Sequence, residues 1–323
     1  MAVTEGARHA ERVQAVVRDA LAPAQSAIAA SWRRSALLHG LDPDRPTPPP
    51  VVSDAELRAA KGEIGPLLDV SKAVLDRLFL TVAGAGCCVI LTNRDGVTLE
   101  RRGEAGDDHD FRQAGLWIGA VWSEAAQGTN GVGTCLAEQR LVTVHQDQHF
   151  RTAHTALSCT TAPVFDEFGR LAAALDVSAC RGDLNTAMLG LVANAVAEAA
   201  RSIETANFRR AFSPCRILVA PDELAGPSAL LAVDGDDLVV GATRSARQAL
   251  GVTDRRIADK LPTSDLFPHG ARGDDDWLSA ERGVILRALA RAGNKVSAAA
   301  RELGVSRATL HRKLKRLGVA AHD

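Results

Sequence analysis

The stretch VSAAARELGVSRATLHRKLKRLG, residues 296–318, decides how the end of the chain folds. SAAAREL begins a short helix at Ser297, and Gly304 follows where a helix terminus needs a residue tolerant of positive φ. Ser306 has N-cap chemistry for the next helix, RATLHRKLKRLG, which Gly318 closes. On that helix Leu310, Leu314 and Leu317 follow i, i+4, i+7 and make one apolar face. Arg307, His311 and Lys315 follow i, i+4, i+8, with Arg312 and Arg316 beside them, so the opposite face is basic and rich in donors. Upstream, Val284, Ile285, Leu286 and Leu289 mark a further helix, expected to be capped by Ser279 and to stop near Gly293-Asn294. Three linked helices with a tight turn before the basic one predict a helix–turn–helix, anchored by one face and turned by the other to phosphates and base edges in a major groove. The candidate DNA contacts are Ser306, Arg307, Thr309, His311, Arg312, Lys313, Lys315 and Arg316. Arg307, near the helix start, is placed to reach bases. Ser306 and Thr309 are placed to donate to phosphate, and Lys313 and Arg316 to position the helix.

Charge follows the same division. Residues 281–319 hold ten Lys and Arg against two acids, whereas the rest holds 28 bases and 37 acids. The overall −1 therefore hides a basic end on an acidic body, the asymmetry expected of a protein with a polyanionic partner. With 323 residues the chain has room for two or three domains, and 46% hydrophobic with 24% charged residues is ordinary globular composition. No apolar run of eighteen residues appears and the first fourteen residues have no apolar core, so neither a membrane span nor a signal peptide is expected. Cys87, Cys88, Cys135, Cys159, Cys180 and Cys215 form no C-x-x-C, which suggests reduced thiols and a cytoplasmic setting.

Along the body, residues 7–39 read as helix interrupted by Pro23, and DPDRPTPPP (42–50) as a stiff linker. Ser53 with Glu56 is a capping box opening helix that runs to about Val82. CCVILT, NRDG and VTLERR predict a hairpin from residue 87, and LVTVHQ with TTAPVFDEFGRLAAALDVSA repeats strand–turn–strand. Asn185 to Phe212 is a long helix whose stripe Val192, Val196, Ala199, Ile203, Ala206 suits a partner helix. RILVAP and SALLAVDGDDLVVGATRSARQALG predict a second small β-rich piece ending in a helix, and residues 262–276 a polar linker.

Within the body, GTNGVGT (128–134) concentrates three glycines. It fits neither the P-loop nor the dinucleotide spacing, since no Lys follows Gly133. It reads as backbone wrapping a small-molecule pocket or as a structural turn, with Asn130 suited to unusual backbone angles or to a ligand bond. His145, His149, His154 and Cys159, spaced four, five and five apart, carry metal-ligand chemistry but no standard ligand signature. Cys135 would be a redox sensor only with a lowered pKa, and an inert buried thiol is the commoner case. Trp117 and Trp122 suit pocket walls or core. Nothing in the sequence brings Glu124 and Asp176 together for acid–base work, and no G-x-S-x-G occurs.

NKVSAAARELGVSRATLHRKLKRLG (294–318) closely resembles the factor-for-inversion-stimulation (Fis) type helix–turn–helix that ends sigma-54-dependent activators. AASWRRSALLHGLDP (29–43) and the stretch from Leu116 to Ser178 are similar to the N-terminal sensor of the acetoin-catabolism activator family, a GAF domain. LLAVDGDDLVVGATRSARQALG looks like the PAS-like segment of some members. The resemblance covers roughly residues 25–212 and 278–318. It implies a sensor for acetoin or another small alcohol or ketone, with Trp117, Trp122, Glu124, Asn130, Cys135, His149, Phe150 and His154 as candidate effector contacts. Cys135 departs from the alanine expected there. The ATPase such activators carry is not encoded between sensor and DNA-binding end. No Walker A or GAFTGA string occurs, and the 66 residues between Phe212 and Ser279 fall far below the roughly 150 such a domain needs.

The expectation is an α+β multidomain protein. It comprises an N-terminal helical segment and linker (1–50), a GAF-type sensor (51–212), a PAS-like segment (213–262), a linker (263–277) and an all-α helix–turn–helix (278–319). It is expected to be a regulator and no enzyme, to need no cofactor or metal, and to bind double-stranded DNA and a small effector as a homodimer. RNA polymerase or another activator is a possible further partner, and no membrane is expected. The alternatives are a redox or metal sensor using Cys135 or His145, His149 and His154, or an effector-free architectural DNA binder.

Overall fold

The structure is a computed structural model and describes residues 2–180, 185–220, 228–267, 275–293, 295–317 and 319. Among these the chain divides into two compact units, Met1–Leu261 and Pro262–Asp323.

The first unit is built on a five-stranded antiparallel sheet of β1 (Cys87–Asn93), β2 (Thr98–Arg102), β3 (Val142–His145), β4 (Ser158–Phe165) and β5 (Leu171–Ala179), in the order β2-β1-β5-β4-β3. Alternation assigns the two faces. Val89, Leu91, Leu175, Val177 and Val164 point to one side, where helices α5 (Gly65–Val82) and α9 (Thr186–Ala211) cover them with Leu75, Leu78, Val192, Val196 and Ile203. Cys88, Ile90, Cys159, Thr161, Ala174, Asp176 and Ser178 point to the other. Both faces are covered, which explains why CCVILT reads as an unbroken apolar run. The stripe on α9 meets α5 of the same chain. Arg210 of α9 donates to the Pro66 carbonyl at the start of α5, so the two helices run antiparallel.

Local signals explain the boundaries. Ser53 caps α4 (Asp54–Glu63) in a complete capping box with Glu56, and Asn185 caps α9 through the Met188 amide at 3.0 Å. Ahead of the sheet lie α1 (Ala2–Arg18), α2 (Ala22–Gln25, with Pro23 in its first turn) and α3 (Ala27–Arg33), which continues as one π-helical turn, Arg34–Leu38. Past α9, β6 (Arg216–Val219), β7 (Leu230–Val233) and β8 (Val239–Ala242) form a three-stranded antiparallel sheet. Thr243 caps the helix that follows it. This piece joins the larger sheet through Arg244, stacked 4.1 Å over Phe165. Glu204 of α9 accepts the Phe165 amide at 2.9 Å, and burial pushes its carboxyl up to about 7.

Among its described residues the second unit holds three α-helices, Asp275–Arg291, Val296–Glu302 and Arg307–Arg316. Ile285, Ala288, Leu289, Val296, Ala299, Ala300, Leu310 and Leu314 make its core. The first of these helices starts at Asp275 rather than at Ser279, so Ser279 lies inside it. The second starts at Val296, with Lys295 as a cap that makes no side-chain bond. Gly318 and residues 268–274 of the 263–277 linker lie outside the described residues.

Candidate functional site

The loop GTNGVGT packs against the sheet's second face, and it is a helix start rather than a turn. Asn130 has ordinary extended φ of −153° and caps helix α8 (Gly131–Glu138), its Oδ1 accepting the Gly133 amide at 2.9 Å. Its Nδ2 donates back to the Gly128 carbonyl at 2.8 Å. The glycines serve close approach. A Cβ on Gly133 would stand 2.4 Å from the Glu124 amide, and one on Gly131 would stand 2.5 Å from Thr161 Oγ1.

Glu124 belongs to a buried network with the N-terminal helices. Only 6% exposed, it takes a bidentate pair from Arg34, Nε to Oε2 at 2.9 Å and Nη2 to Oε1 at 3.0 Å, and also accepts the Ser31 hydroxyl. Arg34 Nη1 reaches Glu138 at 2.8 Å, and the bond to Glu124 is the main cause that holds Arg34 above its usual range. Ser31 and Ser35 share hydrogen bonds with Thr129. Thus the AASWRRSALL stretch straps the glycine loop. Phe150 is buried on the same side, packed with Val13 and Trp32, and the Trp32 indole donates to the Gln148 carbonyl at 2.8 Å.

The second face itself gathers Trp122, His149, His154 and Cys159. The Trp122 and His154 rings lie 5.0 Å apart, and those of His149 and His154 6.3 Å apart. His149 donates through Nδ1 to the Gln146 carbonyl at 2.9 Å, so its Nε2 accepts from the Cys159 thiol, 3.4 Å away. Burial lowers His149 to about 4 and His154 to about 3, and raises the Cys159 thiol, so all three are neutral at pH 7. Asp176 accepts from Thr161 and Ser178 at 2.6 Å each, and burial pushes its carboxyl up to about 6. Asp176 and Glu124 sit in separate hydrogen-bond networks.

The remaining sequence-predicted contacts are dispersed. Cys135 packs with Val142 and Val144 in its own buried cluster, and burial raises its thiol, which removes the thiolate a redox sensor needs. His145 Nδ1 lies 2.7 Å from Ser158 Oγ. Among the described residues no group of three His, Cys, Asp or Glu is arranged to hold a metal ion. Trp117 is half-buried between the Arg101 and Arg112 guanidinium groups, 4.3 and 3.8 Å from its ring. Sequence reasoning missed Arg34, Ser31, Gln127 and Arg101. Arg101 carried no signal of its own, since it stands between the charged Glu100 and Arg102 on β2.

In the second unit Ser306 Oγ accepts the Thr309 amide at 3.1 Å and caps the helix, so Ser306 and Thr309 are first of all capping partners. Gly304 takes the left-handed φ of 62°. Leu310 and Leu314 are buried while Ser306, Arg307, His311, Arg312, Lys315 and Arg316 are exposed, and Thr309 and Lys313 are half-buried. Lys313 and Arg316 both pair with Glu281 of the first helix, and Lys313 foremost holds that carboxyl below its ordinary range.

The family described as MimR, N-terminal domain, matches residues 4–203, more than half of the chain. The chain belongs to that family. Residues 279–317 of this MimR-type chain match the bacterial regulatory protein, Fis family, description. The acetoin catabolism regulatory protein of Cupriavidus necator is 41% identical over 224 residues, 68% of this chain and 34% of that protein. The propane 2-monooxygenase operon transcriptional activator of Mycolicibacterium smegmatis is 26% identical over 274 residues, 81% of this chain and 45% of that protein. The matches span between about a third and under a half of those relatives' lengths. The Escherichia coli DhaR(N)–DhaL crystal structure has a chain sharing the fold, with TM-score 0.51 and 18% identity over 70% of this chain and 76% of that one. Among the described residues no helix is long and apolar enough to cross a membrane.

Proposed function

We propose that the chain is a DNA-binding transcriptional regulator whose GAF-type domain senses a small oxygenated metabolite and whose C-terminal helix–turn–helix binds promoter DNA. The observation that carries this reading is the last helix, with its leucines buried and Arg307, Arg312 and Lys315 exposed on a capped, turn-preceded scaffold. The acetoin-like character of the effector rests on the likeness to the Cupriavidus necator regulator. Two buried groups support a ligand on the second face, since His154 Nδ1 and both amide atoms of Gln127 lack partners. Trp122, His149 and His154 are its walls, Trp117 its rim, and Glu124, Asn130, Cys135 and Phe150 hold the loop that covers it.

The three strands after α9 are a PAS-like segment between sensor and DNA-binding end. One helix–turn–helix reads a half-site, so the working form is a homodimer. The effector biases a two-state geometry of the pair and so the fit to two half-sites. With no P-loop between sensor and helix–turn–helix, regulation proceeds without ATP-driven sigma-54 remodelling, by promoter occupancy or contact with RNA polymerase or another activator.

The test is duplex binding by the full chain and by a truncation ending before Asp275. The full chain binds an operator selectively and the truncation does not, while Arg307→Ala relaxes sequence preference. Sequence-selective binding at full strength by the truncation would refute the reading.

A further inference from the structure

Arg101 lies in β2 opposite Ile90, which on its other side opposes Asp176, which in turn opposes Thr161. The four form one row across the sheet on its second face. Adjacent strands are about 4.8 Å apart, so Arg101 and Asp176 stand about 10 Å apart along that row. The Arg101 side chain is 7% exposed. Its guanidinium lies over the rings of Phe111 at 5.1 Å and Trp117 at 4.3 Å, and Nη1 donates to Asp108 Oδ1 at 2.8 Å.

The other edge of the guanidinium has no hydrogen-bond partner, and Gly103 packs beside it, close enough that a Cβ there would stand 2.6 Å from Nη2. Nε and Nη2 are both buried and neither has an acceptor. An arginine keeps its charge under all ordinary conditions, so this edge cannot be relieved by losing a proton. Buried N–H groups without acceptors are rare because water is lost and nothing replaces it. Nε and Nη2 together are the fork that matches two coplanar oxygens, as the same two atoms of Arg34 match Glu124 in this chain. Aromatic rings on the guanidinium face and a closed environment are what a site for a small planar anion requires.

We propose that Arg101 is the anion anchor of the effector site, receiving a carboxylate on its Nε–Nη2 edge, with the carbon skeleton lying toward Ile90 and Asp176. This rests on the sensor reading above, but in place of an acetoin-like neutral effector it assigns a short carboxylic acid of the hydroxy- or keto-acid kind. Asp108 is the standing counter-charge and the ligand carboxylate the second one. Trp117 holds the guanidinium plane, which gives its half-buried position a purpose.

The test is calorimetric titration of the full chain, checked by thermal shift, with pyruvate and lactate against the neutral probes acetoin and 2,3-butanediol. The carboxylates bind saturably, Arg101→Gln weakens them at least tenfold, and Arg101→Lys, which keeps the charge but loses the fork, gives an intermediate loss. A single cooperative thermal transition and a wild-type circular dichroism spectrum for both variants show that the sensor unit is folded, and if Arg101→Gln does not fold, Arg101→Lys carries the comparison. Saturable binding of the neutral probes alone, undiminished in either variant, overturns the carboxylate assignment and leaves the sensor reading standing. No saturable binding by any of the four overturns both.

Discussion

Replacing Arg34 with Met tests whether the N-terminal helices are strapped to the glycine loop by a buried charge. Glu124 is 6% exposed and keeps only the Ser31 hydroxyl once the guanidinium is gone. Breaking a buried pair by removing one partner costs about 3–5 kcal/mol, because the remaining charge is left uncompensated. Arg34 is 31% exposed and its other partner, Glu138, 25% exposed, which pulls the expected loss to the lower end, about 3 kcal/mol. Glu124→Gln removes the stranded charge while keeping an acceptor for Ser31. The double variant is therefore expected to be more stable than the sum of the two singles implies, by about 1–3 kcal/mol. Urea unfolding of the four proteins in a double-mutant cycle measures this. A loss under about 1 kcal/mol in Arg34→Met, as for an exposed pair, or strict additivity, would refute the strap.

Acid stability is set by opposed groups. His149 and His154 have folded pKa values of about 4 and 3, below the unfolded 6.5, so the unfolded state gains protons first and stability falls as pH drops below 6.5. Asp176, raised to about 6, works the other way between about 4 and 6, where the native state holds its proton. Asp176→Asn is therefore expected to steepen the loss on acidification by about 1.4 kcal/mol per pH unit, and parallel urea profiles for the two proteins would contradict this. Gly131→Ala forces a methyl to 2.5 Å from Thr161 Oγ1 and 2.6 Å from Cys159 Cβ, so it costs about 1–3 kcal/mol in the same unfolding assay. Leu314→Ala empties the core of the three-helix unit, with an expected loss of about 2–5 kcal/mol and weakened operator binding in gel shift at 37 °C.

Much of the architecture is legible because its signals are local. Ser53 with Glu56, Asn185, Ser306 and the spacing of Leu310 and Leu314 each report on neighbours within a turn or two, and β1 and β5 alternate or run apolar according to how many faces they bury. The candidate site is less legible because it is made by contacts across the chain. Arg34 meets Glu124 at a separation of 90 residues, and Arg101 joins the row of Asp176 only through the strand order β2-β1-β5. Asn130 reads as a turn residue because a glycine-rich string has the same composition whether it turns or starts a helix, and only the bond to the Gly133 amide separates the two. The stripe on α9 carries no label for which chain supplies its partner, and α5 fills that place.

Glu281 has one more effect. By gripping Lys313 and Arg316 it makes the recognition helix electrically poorer than its sequence suggests, since two of its bases already have an internal counter-charge. Each phosphate neutralised releases condensed cations and adds about 0.9 to the dependence of log affinity on log salt. A count of bases on this helix therefore overstates that dependence by up to two contacts. Phosphate oxygens that reach Lys313 or Arg316 compete with a carboxylate fixed in place by the fold.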